Sequence, residues 1–502
     1  MMIEALIAVA LIGSLVVLAS PDRYAAQLAL AISLIPVAGS LWMYSAFDGA
    51  GNALLGGDIA FETGPITWVE VGDYALQWHM GLDGVSMPLV VLTTVLTTLA
   101  ILSAWTPIDE RQSQFYGLML LMQGSLIGVF AALDFFVWFV FWEAVLVPMY
   151  FLIGVWGGPR RKYAAIKFFV YTNVASLVMF IGFIALVFSL DVTTFGLPEI
   201  TAALEGTGPT PLATAAFFAM FAGFAVKVPI VPVHTWLPDA HVEAPTPVSV
   251  MLAGVLLKMG TYALLRFNFT MLPEVAIEYA PFIVALAVLS VIYGALLALA
   301  QRDLKRIVAY SSISSMGYVL LGLVAYTVHG VGGATFQMVS HGLISGLMFM
   351  TVGVIYNATH TRMVTDMSGL ADKMPVTVGV FVAAAFGYMG LPLMSGFAAE
   401  YFVFVGSFQS DTLPNHGMAL ATAIAMFGIV VVAGYLLFAM QRTMFGPFEL
   451  ETDYEIVPAP VRDVTPLLVL LGLVILLGIA PDLIYEMIRD AVSPVLENGG
   501  DL

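Results

Sequence analysis

The chain has 502 residues, of which 60% are apolar and only 10% are charged, and its mean hydropathy is +0.97. Soluble proteins carry about a quarter charged residues, so this composition excludes a water-soluble fold and indicates a polytopic membrane protein. The 17 Lys and Arg against 34 Asp and Glu argue against a nucleic-acid partner, because phosphates require clustered cations. The absence of cysteine excludes disulfides, thiolate metal sites, iron–sulfur ligation and cysteine nucleophiles.

Apolar stretches long enough to cross a membrane recur along the whole chain. A helix needs about 20 mostly apolar residues to span the hydrocarbon core. We therefore predict an all-α polytopic membrane protein, a single membrane domain over 1–502 with about 14 transmembrane helices. The first stretch lacks a basic region and a small-residue cleavage site, so it is interpreted as a span and not as a signal peptide. The predicted spans are 2–20, 26–46, 84–105, 115–132, 135–156, 166–190, 213–233, 245–270, 280–300, 307–328, 334–357, 376–409, 418–441 and 464–487.

Basic residues are distributed unevenly between alternate loops of these predicted helices. With the N-terminus placed outside, the inner loops hold 13 of the 17 cations, Lys305 among them, whereas the outer side has only Arg266 and Arg489. This asymmetry follows the positive-inside rule and predicts that both termini lie on the outer side. The longest stretches, 47–83 and 191–212, are then glycine-rich, acidic surface loops on the outside. Neither a P-loop nor a usable G-x-G-x-x-G motif is present, so the energy for any transport must come from a gradient or from a partner.

Among the charged residues inside predicted spans, three stand out, namely Glu143, Lys227 and Lys258. Each charged side chain at the bilayer centre costs about 2.5–3.5 kcal/mol on the insertion scale, so such residues indicate an ion path or a proton relay. A structural ion pair that fixes helix packing is the alternative interpretation. Two lysines against one glutamate argue against a closed pair, because one cation is left over. An unpaired buried lysine can release its proton, as a relay requires.

Two predicted spans contain helix-breaking segments. Pro229 and Pro232 lie within the seventh span, directly after Lys227, and Pro392 lies in the overlong twelfth span, with Glu400 following it. Proline removes a helical hydrogen bond and disfavours helix at the residue before it. Broken helices in a membrane are tolerated where they line a cavity or are buried in protein, and in transporters they indicate a binding site between inverted repeats.

The positions of the two breaks predict an internal repeat. Broken spans seven and twelve are five apart, so they cross the membrane in opposite directions. We predict two inverted five-helix repeats, spans 4–8 over 115–270 and spans 9–13 over 280–441, each with one broken helix. The N-terminal helices 1–3 then occupy 1–105, and 464–487 is a C-terminal helix.

Three histidines are candidates for proton transfer, because imidazole titrates near neutral pH. His341 is predicted in mid-membrane, where it is either a relay group or a hydrogen-bonded core residue. His234 and His241 belong to the segment after the first break and either form a proton-uptake site or cap helix ends. No histidine pair has convincing haem-ligand placement, and no metal site is predicted.

Three segments resemble the proton-conducting membrane transporter family. The stretch 227–262, KVPIVPVHTWLPDAHVEAPTPVSVMLAGVLLKMGTY, is similar to the family's long and specific signature. Supporting similarities are RIVAYSSISSMGY at 306–318 and LPLMSGFAAE at 391–400. The family comprises the antiporter-like subunits of respiratory complex I (NADH:quinone oxidoreductase) and of Mrp-type cation/proton antiporters. Within it, FWEAVLVPMYFLIGVWGG at 141–158 and the glutamate Glu400 are most similar to the chain M group of complex I.

The resemblance implies proton translocation coupled to NADH oxidation and quinone reduction in other subunits. The proton-translocating residues implied by motif are a first-half pair, Glu143 and Lys227, a central lysine, Lys258, a second-half histidine, His341, and the exit residue Glu400. Where the family often has histidine, this chain has Ser315, so a relay there would need water or the serine hydroxyl.

The resemblance also implies the setting of the chain. It is a non-redox subunit of the enzyme in the bacterial inner (plasma) membrane, without a cofactor of its own, whereas FMN, iron–sulfur clusters and quinone belong to partner subunits. Its expected partners are neighbouring antiporter-like chains, lipids and protons. Two alternatives stay open, a subunit of an Mrp-type Na⁺(K⁺)/H⁺ antiporter and a scaffold chain that conducts nothing.

Overall fold

Helices form nearly all of the regular structure in the computed structural model, which describes residues 1–49, 51–452, 454, 456 and 459–498. The helices up to the first break are α1 (Met2–Leu18), α2 (Asp22–Ser45), α3 (Ser86–Ser103), α4 (Gln112–Ala131), α5 (Phe135–Ala144), α6 (Leu146–Trp156), α7 (Arg161–Val187), α8 (Leu197–Leu204) and α9 (Pro211–Lys227). The next helices are α10 (Trp236–Glu243), α11 (Thr246–Met251), α12 (Leu257–Ala263), α13 (Pro273–Glu278), α14 (Ala280–Leu299), α15 (Leu304–Val324) and α16 (Val328–Thr359). The last are α17 (Pro375–Tyr388), α18 (Ser395–Phe408), α19 (Gly417–Thr443), α20 (Val461–Ile479) and α21 (Asp482–Asn498).

The predicted all-α polytopic membrane fold is confirmed. In the described part of the chain, eleven helical segments are long and apolar enough to cross a membrane, and α1, α9 and α17 are shorter apolar helices. In this count α5 and α6 form one segment. Residues 246–270 form another, which consists of α11, the π-helical turn Leu252–Leu256, α12 and the π-helical turn Leu264–Thr270. The number of 14 spans and the inverted repeat stay predictions.

One of the predicted boundaries is wrong, whereas the run 135–156 forms one apolar helical segment with the predicted bounds. This segment has a turn at Val145, because Pro148 has no N–H for the carbonyl four residues earlier. The run 464–487 ends early, since α20 stops at Ile479 and α21 starts at Asp482. Pro481 lies between them, and Ala480 before it has the non-helical φ of −127°, as the residue before proline prefers.

The long stretches predicted as loops carry regular structure. Strands β1 (Ala60–Val71) and β2 (Tyr74–Leu82) form an antiparallel hairpin within 47–83, and α8 lies within 191–212. Short strands β3 (Met367–Ser368) and β4 (Glu449–Leu450) form a second sheet.

Asp134 fastens the hairpin to the helical bundle. Its carboxylate caps α5 by accepting hydrogen bonds from the backbone N–H groups of Phe136 and Val137, and it also accepts one from Gln77 on β2. Burial raises the pKa of the Asp134 carboxyl, against the effect of these three hydrogen bonds. One buried side chain thus satisfies the start of α5 and positions the hairpin beside it.

A buried ion pair formed by Arg266 joins distant parts of the chain. Arg266 is 2% exposed within the π-helical turn Leu264–Thr270. Its guanidinium donates to Asp83 Oδ1 at 2.5 Å and to Asn52 Oδ1 at 3.0 Å, and Asn52 Nδ2 donates to the carbonyl of Ala491 on α21. We call Arg266, Asp83 and Asn52 the Arg266 cluster. It ties together the segment before the hairpin, the start of α3, the 246–270 helix and the C-terminal helix.

Candidate functional site

The first break of the helical bundle lies directly after Lys227, the last residue of α9. Pro229 and Pro232 lie in the non-helical segment between α9 and α10. Side chains from elsewhere satisfy the backbone near this break: Trp236 Nε1 donates to the Val226 carbonyl at 2.8 Å, and the Val231 N–H donates to Ser290 Oγ at 3.1 Å. Non-helical backbone is tolerated at membrane depth under this condition.

Lys227 is buried, and its partner is an aromatic ring. The side chain is 2% exposed, and Nζ has no hydrogen-bond partner among the described residues. Nζ lies 4.5 Å from the centroid of the Trp142 ring, a cation–π contact. Glu143 is turned towards α7, where Asn173 Nδ2 donates to its Oε2 at 3.4 Å. In the described part of the chain Glu143 and Lys227 form no ion pair within 4.0 Å.

Lys258 and His341 are in direct contact. Lys258 Nζ lies 2.6 Å from His341 Nδ1 and donates to the Ala253 carbonyl at 2.5 Å, inside the π-helical turn Leu252–Leu256. Both side chains are buried, at 0% and 1% exposure. The backbones can come this close because Gly254 and Gly342 face each other: a Cβ on Gly342 would lie 2.8 Å from the Gly254 carbonyl oxygen.

Lys227 packs against the helix that carries Lys258. A Cβ built on Gly260, two residues after Lys258, would lie 3.1 Å from Lys227 Cβ. The two lysines therefore belong to one packed unit of α9 and α12, although no direct hydrogen bond joins them in the described structure.

The second break lies beside His341. Ser340 Oγ donates to Ser395 Oγ at 2.9 Å, which joins α16 to the first residue of α18. The ring of Tyr388, the last residue of α17, meets the His341 ring edge to face at 5.9 Å. Pro392 lies in the non-helical segment between α17 and α18. The two helix ends that flank this interruption are thus in contact with the helix that carries His341.

Glu400 lies on α18 against the glycine that begins the break. It is 6% exposed, and the phenol groups of Tyr318 and Tyr435 lie within electrostatic range of its carboxylate. Gly390 has a φ of +63°, which favours glycine. A Cβ at Gly390 would lie 2.2 Å from Glu400 Oε2, so only glycine leaves this carboxylate in place.

We expect Gly390→Ala to displace the Glu400 carboxylate and to strain the backbone by about 1–2 kcal/mol. If Glu400 carries protons, proton translocation by the assembled complex should fall several-fold. Gly379→Ala on the preceding helix α17 is the control, because a Cβ there meets nothing within 4 Å. Proton uptake into vesicles by both variants is the measurement, and equal activity would show that the position of Glu400 is unimportant.

Comparison with known proteins places this geometry in a family. The family model described as "NADH:quinone oxidoreductase/Mrp antiporter, TM" matches residues 132–440 of the chain. The chain is 43% identical over 438 residues to NAD(P)H-quinone oxidoreductase chain 4 of Synechococcus elongatus, covering 86% of this chain and 80% of that one. The chain belongs to the NADH:quinone oxidoreductase/Mrp antiporter family. A chain 4 of Trichormus variabilis is also 43% identical, over 413 residues that cover 82% of this chain and 76% of that one.

Solved structures share the fold of this chain. A chain of respiratory complex I from Thermus thermophilus with bound NADH superposes with a TM-score of 0.88 at 25% identity, over 100% of both chains. A chain of the Mrp complex from Dietzia sp. superposes with a TM-score of 0.85, over 99% of this chain and 98% of that one. Its identity is 19%, so this second likeness shows the fold alone.

The structure places the remaining candidates of this family member in the interior. His241 is 0% exposed, stacks on Phe349 with ring centroids 4.5 Å apart, and has no hydrogen-bond partner for its ring nitrogens among the described residues. His234 is buried against the edge of Tyr293. Ser315 is buried on α15. Both histidines are buried, and proton uptake through them stays a prediction.

Lys305, predicted as a loop cation, is only 4% exposed. Its Nζ donates to the Ala244 carbonyl at 2.7 Å, and Arg362 Nη1 donates to the Val242 carbonyl at 2.9 Å. Both carbonyls belong to the end of α10, so two cations satisfy the free acceptors there. The Asp303 cap before Lys305 could have indicated that this lysine already belongs to α15.

Proposed function

We propose that the chain is a proton-translocating, antiporter-like membrane subunit of an NADH:quinone oxidoreductase. The observation that carries this proposal is the 2.6 Å contact between Lys258 Nζ and His341 Nδ1, buried beside two interrupted helices. This distance allows direct proton transfer between the two nitrogens. The coverage of chain 4 relatives supports the assignment to complex I.

The proposed path runs from Lys258 through His341 to Glu400. A proton enters from the inner side and loads Lys258, with His241 and His234 as uptake candidates. Because ammonium and imidazolium cannot both be stable at 2.6 Å, a charge on one nitrogen favours transfer or release at the other. Ser340, Tyr388 and Ser395 supply polar groups between His341 and the second break. Glu400 then releases the proton on the outer side.

Electrostatic coupling through Lys227 would drive the transfer. When a neighbouring subunit moves Glu143 towards or away from Lys227, the charge next to Lys258 changes. At an effective dielectric constant of about 20, charges a few ångströms apart interact by a few kcal/mol, enough to shift a proton. Glu143 is in contact with Asn173 on α7 here, which corresponds to the separated arrangement of this switch.

The redox chemistry belongs to other subunits in this proposal. The chain has no cysteine for an iron–sulfur cluster, and FMN, iron–sulfur clusters and quinone are bound by partner subunits. We count the chain as a non-redox, translocating part of the enzyme. The excess of basic residues in alternate loops supports a bacterial inner-membrane orientation with both termini outside.

The test is Glu143→Ala in the intact complex. We expect NADH oxidation without coupled proton pumping, because the variant lacks the carboxylate whose movement is proposed to change the charge beside Lys227. Glu205→Ala, an exposed loop glutamate, is the control. Acidification of inverted vesicles on addition of NADH is the measurement, and full pumping by the Glu143 variant would refute the proposed coupling.

An Mrp-type antiporter subunit is the second candidate, since the fold of the Mrp chain superposes over nearly the whole molecule. The two candidates differ in what is isolated with the chain. Flavin and NADH–ferricyanide activity in the purified complex would support complex I. Sodium- or potassium-dependent proton exchange without flavin would support the antiporter.

A further inference from the structure

We propose that Trp142 is a positioning residue that holds the buried Lys227 ammonium on its ring face whenever Glu143 is turned away. The inference rests on the proposed function of Lys227 in proton translocation. Lys227 Nζ lies 4.5 Å from the Trp142 ring centroid and has no hydrogen-bond partner among the described residues. The indole face is therefore the group in direct contact with this ammonium in the arrangement described here, whereas the Glu143 carboxylate acts on it only through space. Tryptophan is the aromatic residue best suited to this task, and the contact is stronger where water is excluded.

The indole ring is held in place from several sides. Its Nε1 donates to Ser176 Oγ on α7 at 2.9 Å, which fixes the ring edge. Trp138 lies 4.8 Å away on the preceding turn of α5, and Phe224 on α9 contacts it edge to face at 5.7 Å. The ring is 1% exposed. A ring held in this way presents its face to Lys227 without further reorganisation.

Trp142 and Glu143 are alternative partners for one ammonium. Consecutive residues of a helix project about 100° apart, so both cannot face Lys227 in one orientation of α5. In the present orientation the indole faces Lys227 and the carboxylate faces Asn173. α5 ends at Ala144 and α6 begins at Leu146, and this junction, two residues after Glu143, is where we place the rotation that exchanges the two partners.

The Lys227 ammonium would therefore have a partner in both arrangements of Glu143. Without the indole, moving Glu143 away would leave a bare ammonium in a buried site, which is costly. With it, Lys227 passes between a carboxylate and an aromatic face, and its charge is retained in both positions. The charge next to Lys258 is then changed by the movement of Glu143 and not by loss of the Lys227 proton.

Fluorinated tryptophan at position 142 tests this directly. Mono-, di- and trifluorotryptophan, introduced by nonsense suppression in the intact complex, withdraw electrons from the ring face with little change in size. We expect coupled proton pumping to decrease stepwise, by about fivefold or more for the trifluorinated residue. Complex assembly and NADH–ferricyanide activity should not change. A flat series, or one that rises, overturns the inference.

The same series at Trp138 is the matched control, because this neighbouring ring makes no cation–π contact in the described structure. It should be flat. Trp142→Phe should retain more pumping than Trp142→Leu, since phenylalanine keeps a ring face. Lys227→Ala tests the proposed function separately from the role of Trp142. If this variant pumps normally, the proposed function is wrong. If it loses pumping while the fluorine series at Trp142 is flat, only the role of Trp142 is refuted.

Discussion

Replacement of Lys258 by methionine is expected to abolish coupled proton pumping while the complex still assembles. Methionine fills nearly the same volume but cannot carry a proton, so the contact of Lys258 Nζ with His341 Nδ1 is lost. Removal of a group that transfers a proton typically costs a hundredfold or more, on the order of 10² to 10⁴. Pumping into inverted vesicles, compared with NADH–ferricyanide activity, is the measurement.

Lys373→Met is the control for this substitution. Lys373 is an exposed lysine whose Nζ lies over the ring of Phe448, whereas Lys258 and His341 are buried. It should leave pumping unchanged. Normal pumping by the Lys258 variant would contradict the central step of the relay, whatever the fate of Glu143.

The second large effect is expected at the Arg266 cluster and concerns stability. Asp83→Asn or Arg266→Met leaves one member of a buried ion pair without its counter-charge, which costs about 3–5 kcal/mol. The Arg266–Asp83 hydrogen bond of 2.5 Å joins the 246–270 helix to the start of α3, so its loss should loosen both. Because the partners are in contact, the double variant should lose less than the sum of the single losses. Thermal unfolding of the purified full-length protein measures all three, and additive losses would refute the pairing.

The same pair predicts a dependence of stability on pH. Burial opposes ionisation, but the charge and hydrogen bonds of Arg266 hold the pKa of the Asp83 carboxyl below its ordinary value of 3.8. A carboxyl with a lowered pKa contributes stability that is fully present above the ordinary value and is lost as the pH falls through the lowered one. The difference in unfolding temperature between the wild type and Asp83→Asn should therefore be constant near neutral pH and shrink in strong acid. A difference that grows on acidification would contradict this assignment.

Much of the architecture could be predicted from the order of residues alone. In a bilayer each spanning segment must satisfy its own backbone hydrogen bonds, so an apolar run of sufficient length already implies a helix. The cost of a charge in hydrocarbon likewise singled out Glu143, Lys227 and Lys258 before any contact was known. Both properties are local: they depend on a residue and its near neighbours in the chain.

The contacts could not be predicted in this way. Lys258 and His341 are 83 positions apart, and they meet because Gly254 and Gly342 allow two backbones to approach. Lys305 resembles a loop cation in the linear order, yet its position against α10 buries it.

Hydropathy and the price of a buried charge thus define the helices and the ionisable groups of this chain. Which partner each group has is a matter of packing. Trp142 under Lys227 and Asp83 beside Arg266 follow from how α5, α9, α3 and the 246–270 helix lie against one another. Side-chain partners of this kind depend on distances in space, and those distances are set only when the whole bundle is assembled.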